Sequence, residues 1–395
     1  MTKPLNGIRV LELGQFIAGP FAGLQLADLG AEVIKIEKPG IGDPFRQFGV
    51  GDTARGYSHN FCAFNRNKRS VSLDVTSPRG RDVFLRMASE ADVVLENFRP
   101  GVMARLGLDA ERLRATSPAL IYCSIAGFAA DGPNKDRPAY DAVGSAVSGL
   151  MSLLVDPTDP RVLGPTISDQ MTGMQASTGI LGALFERART GVGARIEITM
   201  VEATLSLIPD VFTAYTQAGL VMGPESRAAV SLAFNFQCAD QKLLSIHVSS
   251  IEKFWQALLA ATEQSALKDD ARFSDRRLRV RNYQALVEIL RPVFARRDRD
   301  VWMALLGAHD VPAAAVNSIP EAMNDVEVRH LDVFHDMVHP LYGKQTLMHR
   351  STRIDGEREA DPTLPPVLGE HTEQILGSFG LTAQELESLR AEHVI

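Results

Sequence analysis

The sequence contains little cysteine and has no strong excess of either charge. Its three cysteines, Cys62, Cys123 and Cys238, are odd in number and far apart, so neither a disulfide framework nor a zinc site is predicted. The 41 basic and 48 acidic residues give a net charge of −7, which argues against a general nucleic-acid or anionic-membrane binder. No apolar run approaches the roughly 18 residues that a membrane span needs, and the N-terminus has no signal-peptide character. We therefore expect a cytoplasmic globular protein.

Histidine is absent from a long part of the chain. None of the nine histidines lies between residues 60 and 246, so a histidine base is unavailable across most of the first half. His335 and His339 have a spacing that lets two side chains share a metal on a helix, but Pro340 follows directly and no HExxH pattern occurs. We predict no metal site. The G-x-S-x-G motif of serine hydrolases is also missing, so a hydrolase has no support.

The first forty residues predict a parallel α/β sheet. Ile8–Leu13 and Val33–Glu37 are short apolar runs typical of strands, and Pro20–Asp28 between them fits one helix. A strand, a helix and a second strand within thirty residues form a βαβ unit. The pattern recurs as far as about residue 205, which indicates one α/β domain. We further predict a buried helix over 143–154 and a connector over 220–235.

Two features of the N-terminal part of the sequence are typical of proteins that bind nucleotides. Glu37 ends the second strand where a ribose-binding acid would lie, but Gly14, Gly19 and Gly23 do not have the G-x-G-x-x-G spacing, and we interpret Gly14 and Gly19 as turn glycines. Basic residues also follow several strands. They fit either scattered surface charge or a polyanionic ligand such as a phosphorylated nucleotide, and they are Lys35, Lys38, Arg46, Arg66, Lys68, Arg69, Arg99, Arg105 and Arg137.

One carboxylate, Asp169, stands directly ahead of a predicted helix over Gln170–Arg189 whose first turns carry small residues. An aspartate in that place is an ordinary helix N-cap. It is equally compatible with a nucleophile that the helix N-terminus holds ionised, with room for a ligand beside it. The residues alone leave both interpretations open.

Several sequence motifs of the chain resemble those of a known family. PLNGIRVLELGQFIAGPFAGLQLADLGAEVIKIEKPGIGD closely resembles the N-terminus of the family III CoA-transferases, the CaiB/BaiF group that includes formyl-CoA transferase. The likeness continues in FNRNKRSVSLDV, ADVVLENFRPGVMARLGL, GARIEITMVEA and VLGEHTEQILGSFGL. It covers nearly the whole chain and is weakest over 206–315.

The resemblance implies an α/β subunit with a Rossmann-like large domain, a parallel sheet and a smaller α+β domain. The implied limits are 1–205 for the CoA-binding domain, 206–225 for a linker, 226–330 for the small domain, and 331–395 for a linker and a return to the large domain. It also implies a homodimer of interlocked rings.

The resemblance further implies a reaction and a site. Asp169 falls on the family's catalytic aspartate, which attacks an acyl-CoA donor and then passes CoA to a carboxylic acid through a mixed anhydride and an aspartyl-CoA thioester. CoA is a substrate here, and no tightly bound cofactor is implied. Lys38 and Arg105 are the expected phosphate partners. The positions matching the family's CoA contacts are Ile17, Ala18, Lys38, Leu73, Asn97, Phe98, Arg105 and the stretch that ends at Tyr140.

Some positions depart from formyl-CoA transferase, which has Gln, Lys and Lys where this chain has Ile17, Thr76 and Pro138. Arg137 or Lys68 is the expected compensating contact. The glycine-rich loop that covers that enzyme's site is also absent, so formyl or oxalyl specificity is not expected. The alternatives are an acyl-CoA racemase of the same superfamily, disfavoured because no histidine lies near Tyr140, a non-catalytic acyl-CoA binder, and a dinucleotide-dependent oxidoreductase.

Overall fold

The computed structural model describes residues 3–49, 56–249, 252–358 and 361–395. The chain divides into two compact units. The first comprises Met1–Met151, Val162–Pro209 and Asp332–Ile395, and the second comprises Ser152–Arg161 and Asp210–Leu331. Within the described ranges, no helix has both the length and the apolar character that crossing a membrane requires.

The first unit is built on alternating strands and helices. Its elements before the second unit are β1 (Arg9–Glu12), α1 (Ala18–Asp28), β2 (Glu32–Glu37), α2 (His59–Asn65), β3 (Lys68–Ser72), α3 (Pro78–Ser89), β4 (Val93–Glu96), α4 (Val102–Leu106), α5 (Ala110–Thr116), β5 (Ile121–Ala126), α6 (Asp141–Val147), α7 (Ile167–Thr190), β6 (Arg195–Thr199) and α8 (Met200–Leu205). Short 3-10 helices cover Pro44–Gln47 and Leu150–Leu153.

The six strands form one sheet in the order β3-β2-β1-β4-β5-β6, and every pair is parallel. This confirms the predicted mixed α/β fold with a parallel sheet. Helices cover both faces, which explains why the strands are apolar on both sides. Val10 of β1 packs against α1 and α7, whereas the next residue, Leu11, belongs to the core formed with α3 and α5.

After its short segment Ser152–Arg161, the second unit continues with α9 (Pro209–Ala218), except that Pro209 belongs to the first unit. A three-stranded antiparallel sheet in the order β7-β8-β9 packs with helices around its own aromatic core. The remaining elements are α10 (Ser226–Ser231), β7 (Ala233–Gln237), β8 (Leu243–His247), α11 (Glu252–Ala261), a 3-10 helix (Ser265–Lys268), α12 (Arg276–Arg281), α13 (Tyr283–Phe294), α14 (Arg299–Ala308), β9 (Ala313–Ala315), α15 (Ile319–Asn324) and α16 (Val326–His330).

The chain then returns to the first unit. It forms the antiparallel hairpin β10 (Phe334–His339) and β11 (Gly343–Met348), followed by α17 (Thr372–Ser378) and α18 (Ala383–Ala391). The last two helices complete the core on the α3 face of the sheet, where Leu376 and Leu389 are buried.

Two local predictions are wrong. The segment 143–154 is not one buried helix, because α6 ends at Val147 and Gly149 adopts a left-handed φ of 85° before a separate 3-10 turn. The segment 220–235 is not a plain connector, because it contains α10 and the first residues of β7. In both cases tertiary contacts override weak local periodicity.

Candidate active site at the N-terminus of helix α7

The carboxyl ends of the central strands open into a cavity of about 230 Å³. This cavity, here called the Asp169 cavity, lies where parallel sheets generally bind their ligands. It brings together seven of the residues singled out from the sequence: Ile17, Ala18, Asn97, Phe98, Arg137, Tyr140 and Asp169. They come from the N-terminus of α1, the segment after β4, the segment before α6 and the first turn of α7.

Asp169 is the third residue of α7, so the prediction that it is the helix N-cap is wrong. The N-cap position is Thr166, whose side chain makes no capping bond. Asp141 takes that role from another element: its Oδ1 accepts hydrogen bonds from the backbone N–H groups of Ser168 and Asp169 at 2.8 and 3.2 Å. An acceptor supplied by α6 therefore starts the helix three residues earlier than the sequence indicates.

The helix terminus does not hold Asp169 ionised as the sequence suggested. Burial, and then the charge of Asp141, raise the pKa of Asp169 to about 7 from 3.8. Asp141 also occupies the backbone N–H groups of Ser168 and Asp169, so these two donors are not free to bind the Asp169 carboxylate. No hydrogen bond from the described residues reaches that carboxylate, which leaves its oxygens available to a ligand.

The segment between β1 and α1 forms one wall of the cavity through close packing of two glycines. A Cβ on Gly19 would lie 2.9 Å from the Gly14 Cα, and neither residue has a positive φ. The interpretation of these two residues as turn glycines is therefore wrong: Gly19 is helical, and both are small because two backbone segments touch. The left-handed residue of this segment is Phe16, with a φ of 60°.

A buried network of charges holds this wall in place. Lys35 Nζ lies 3.0 Å from Glu12 Oε1 and 3.0 Å from Asp43 Oδ2, and it donates to the Gly14 carbonyl at 2.7 Å. Lys68 Nζ lies 2.8 Å from the other oxygen of Glu12. All four side chains are shielded from solvent, so the network is strong only while every member is present.

Asp43 connects this network to the left-handed residue. Its Oδ1 accepts from the Phe16 N–H at 3.1 Å and from the Phe45 N–H at 2.9 Å. Asn97 acts on the neighbouring residue, since its side-chain amide accepts from and donates to the backbone of Gln15, both at 2.8 Å. The backbone of residues 15 and 16 is thus fixed from two sides.

A second cavity of about 150 Å³ adjoins the first and shares Gln15 and Phe98 with it. Two more residues expected from the resemblance, Lys38 and Leu73, line this second cavity. Arg105 of α4 is not among the lining residues of either cavity, although its neighbour Leu106 is. Gln15 and Phe98 thus form a shared wall, with Asp169 lining one cavity and Lys38 the other.

Comparisons with known proteins identify the family of this chain. The family described as CoA-transferase family III matches residues 5–372. The chain belongs to CoA-transferase family III. It is 33% identical over 377 residues to succinyl-CoA:glutarate CoA-transferase of Mus musculus, covering 95% of this chain and 86% of the mouse protein.

Two further relatives extend the likeness over the full length. The chain is 30% identical to succinyl-CoA–D-citramalate CoA-transferase of Chloroflexus aurantiacus, covering 100% of this chain and 98% of that protein. The crystal structure of a CAIB/BAIF family protein from Brucella suis superimposes with a TM-score of 0.83 at 30% identity, covering 96% and 100% of the two chains. The protein is thus a transferase that moves CoA, as the resemblance implied.

One feature that suggested a dinucleotide oxidoreductase has another use in this CoA-transferase. Glu37 is buried and accepts hydrogen bonds from the Arg46 guanidinium at 2.6 and 2.7 Å, from Ser70 Oγ at 2.7 Å and from the Asp43 N–H at 2.9 Å. These contacts satisfy the carboxylate inside the protein, so it is not left to bind a ribose.

Within the described part of the CoA-transferase, one group of side chains could ligate a metal. His335, His349 and Asp361 place their ligand atoms within 4.8 Å of one another. His335 and His349 meet because the β10–β11 register pairs His335 with Leu347, which puts His349 diagonally beside it. His339, the partner considered from the sequence, lies on the same strand four residues away and its Nδ1 accepts from the Leu341 N–H instead.

Sequence reasoning missed three residues that shape the site of this CoA-transferase. Asp141 directly follows Tyr140, and that adjacency was the signal available. The sequence contains no signal for Asp43 and Phe16, because their roles depend on a hydrogen bond between residues 27 positions apart in the chain.

Proposed function

We propose that Asp169 is the nucleophile of the CoA transfer. Its carboxylate oxygen attacks the carbonyl carbon of an acyl-CoA, the C–S bond breaks, and CoA leaves as a thiolate, which gives a mixed aspartyl–acyl anhydride. The thiolate then attacks the Asp169 carbonyl carbon and releases the free acid, leaving an aspartyl-CoA thioester. The observation that carries this proposal is an Asp169 carboxylate that lines a cavity without a hydrogen bond from the described residues.

The second half of the proposed reaction is the reverse of the first. An acceptor carboxylate attacks the aspartyl-CoA thioester and expels the thiolate, which gives a new anhydride. The thiolate then attacks the acceptor's acyl carbon, so that a new acyl-CoA forms and Asp169 is regenerated. Every covalent intermediate keeps an activated carbonyl, and no ATP is needed, but water must be kept out.

We further propose that CoA lies along the path formed by the two cavities. Its nucleotide end would occupy the second cavity, where Leu73 offers an apolar wall and Lys38 a charge for phosphate, with Arg105 as a second phosphate partner. Its thioester end would reach Asp169. The expected contacts along the way are Ile17, Ala18, Asn97, Phe98 and Tyr140.

The proposed domain roles follow from the same path. Both cavities are formed by residues of the first unit, which we propose is the CoA-binding domain with limits 1–205 and 331–395. We also propose the homodimer of interlocked rings. Its support is that no residue of α9 is buried and that Tyr215 on this helix is 60% exposed, since exposed apolar surface of this kind favours association. Succinyl-CoA is the proposed donor, as in the named relatives.

A racemase of the same superfamily is the alternative, and the Asp169 cavity disfavours it. Racemisation needs one group to remove a proton and another to return it. The described residues lining this cavity include no histidine, and Asp169 is their only carboxylate.

The test combines one variant with direct detection of the intermediate. Asp169→Ala should abolish CoA exchange while CoA still binds, and the exposed Asp82→Ala is the matched control. After incubation of the unmodified protein with succinyl-CoA and rapid quenching, peptide mass spectrometry should find an adduct on the peptide that contains Asp169. Full turnover by Asp169→Ala, or an adduct on another carboxylate, would refute the proposal.

A further inference from the structure

Three side chains with metal-ligating groups meet at the β10–β11 hairpin, outside the Asp169 cavity. The ligand atoms of His335, His349 and Asp361 all lie within 4.8 Å of one another. All three residues belong to the part of the first unit that starts at Asp332. Two imidazoles and one carboxylate form a donor set that zinc and other divalent transition metals use in proteins. The CoA chemistry described above gives these side chains no role.

The antiparallel register of the hairpin brings the two histidines together. His335 pairs with Leu347, so His349 lies diagonally across from it on the same face. The pairing continues beyond β11, since the His349 N–H donates to the Val333 carbonyl at 2.9 Å. The two imidazole ring centres are 5.5 Å apart, and the ring planes are inclined at 72°. Backbone pairing therefore holds the two imidazoles as neighbours without help from a ligand.

Asp361 supplies the third group at a suitable distance. Its Oδ1 lies 3.4 Å from His335 Nδ1, which is longer than the roughly 2.7 to 2.9 Å of a charge-assisted hydrogen bond. Two ligand atoms on a tetrahedral zinc ion are about 3.4 Å apart when each bond to the metal is about 2.1 Å long. The pair thus has the spacing of two zinc ligands, and the third ligand has at most about 1.4 Å to close. The Asp361 side chain is 70% exposed, so it has room for this adjustment.

Neighbouring cations determine which metal ions suit the group. Lys3, Arg350 and Arg358 line a cavity of about 220 Å³ that two of the three ligands also line. Arg350 Nη1 donates to the Asp28 carbonyl at 3.1 Å, and Arg358 Nη1 donates to the Asp332 carbonyl. Their charge opposes an ion that binds through charge alone. Mg²⁺ and Ca²⁺ prefer oxygen ligands, whereas imidazole nitrogen suits Zn²⁺, so the surroundings favour zinc over the hard cations.

We propose that His335, His349 and Asp361 bind one divalent transition-metal ion, with zinc as the reference, and that water completes the tetrahedral coordination. The adjoining cavity is lined by the turn between α1 and β2, at the amino ends of the parallel strands. The Asp169 cavity opens at the opposite edge, so the ion ties the hairpin to the segment that leads to α17 and takes no part in CoA transfer. The prediction of no metal site considered only His335 and His339, and the proposal rests on a different pairing.

The experiment measures metal binding by the untagged full-length protein after treatment with a chelator. Isothermal titration calorimetry with ZnCl₂ should show one ion per chain. His335→Gln and His349→Gln should each weaken this binding by more than about 100-fold, since the loss of even an outer partner of a ligand costs about 10- to 100-fold. His309→Gln should bind zinc normally and is the matched control, because His309 is exposed and belongs to the second unit. Mg²⁺ should bind at least about 100-fold more weakly than Zn²⁺.

A second measurement does not depend on the histidine variants. Zinc at about 100 times its Kd should raise the Tm of the unmodified protein by about 3 to 5 °C. Asp361→Asn, at an exposed position, should remove most of that shift and leave the Tm of the metal-free protein unchanged.

Several results would overturn the proposal. They are the absence of zinc binding by the unmodified protein, an unchanged zinc Kd in His335→Gln or His349→Gln, an equal loss of binding in His309→Gln, and Mg²⁺ binding as tight as that of Zn²⁺. None of these measurements depends on Asp169, so they remain informative if the proposed transfer chemistry fails.

Discussion

Replacing Asp169 by asparagine should make the protein more stable at alkaline pH while it removes activity. The pKa of Asp169 in the folded protein is about 7, against an ordinary value of 3.8. The folded state therefore holds the proton more tightly than the unfolded state. The stability from this group is fully present below about pH 4 and is lost as the pH rises through 7.

The structure sets the size of this effect. A difference of about three pKa units corresponds to about 4 kcal/mol at most, and partial exposure of the side chain reduces it to about 2 to 4 kcal/mol. A negative charge in the first turn of α7 gains at most about 1 kcal/mol from the helix dipole. Burial and the charge of Asp141 together outweigh this gain, so the ionised carboxylate destabilises the folded protein. Asp169→Asn should gain that amount in the free energy of unfolding at pH 8.5 and only about 1 kcal/mol at pH 4.5, where the unfolded carboxyl is already largely ionised.

The assay is urea unfolding of both proteins at pH 4.5, 7 and 8.5, followed by circular dichroism. Burial also raises the pKa of Glu96 to about 7, but Glu96 is present in both proteins, so its contribution cancels in the difference. The same substitution at the exposed Asp82 is the matched control. A gain for Asp169→Asn that is the same at all three pH values, or a loss at pH 8.5, would refute the account of how burial and Asp141 act on the nucleophile.

Two further predictions concern residues that act through others. Asp43→Ala should lower the free energy of unfolding by about 3 to 5 kcal/mol, because it leaves Lys35 buried beside one anion fewer, and it should also raise KM for acyl-CoA. The control is Asp28→Ala, which breaks a comparable buried ion pair and should lower stability without changing KM. Equal KM values for the two variants would contradict this prediction. Asp141→Asn should move the midpoint of the pH profile of kcat/KM below 7, because it removes the neighbouring charge that raises the pKa of Asp169. A midpoint that does not move would show that burial alone raises this pKa.

The sheet could be predicted from the sequence because its signals are local. The apolar run at Ile8–Leu13 contains β1, and Ser77 and Pro78 start α3 as their residue types indicate. In the site, Asp169 could be singled out because small residues follow it, while its role as nucleophile came only from the family resemblance.

The environment of the nucleophile could not be predicted, because it depends on residues distant in sequence. The side chain that caps α7 is Asp141, 28 residues before Asp169, and the acceptor that fixes Phe16 is Asp43, 27 residues away. The sequence pattern therefore indicated Asp169 as the capping residue, whereas Asp141 is the one that caps the helix. The prediction that Gly14 and Gly19 are turn glycines was wrong for the same reason, because these positions are small where two backbone segments touch.

The return of the chain to the sheet has a consequence for biosynthesis. The core that contains Leu11 also contains Val394, and the Asp74 N–H donates to the Val394 carbonyl at 2.8 Å. The sheet therefore emerges from the ribosome early but cannot bury its α3 face until α17 and α18 have been made. Until then the nascent chain exposes an apolar surface while the second unit, whose core is contiguous in sequence, is already able to fold. A chaperone that binds apolar segments would be needed longest by the half of the protein that was synthesised first.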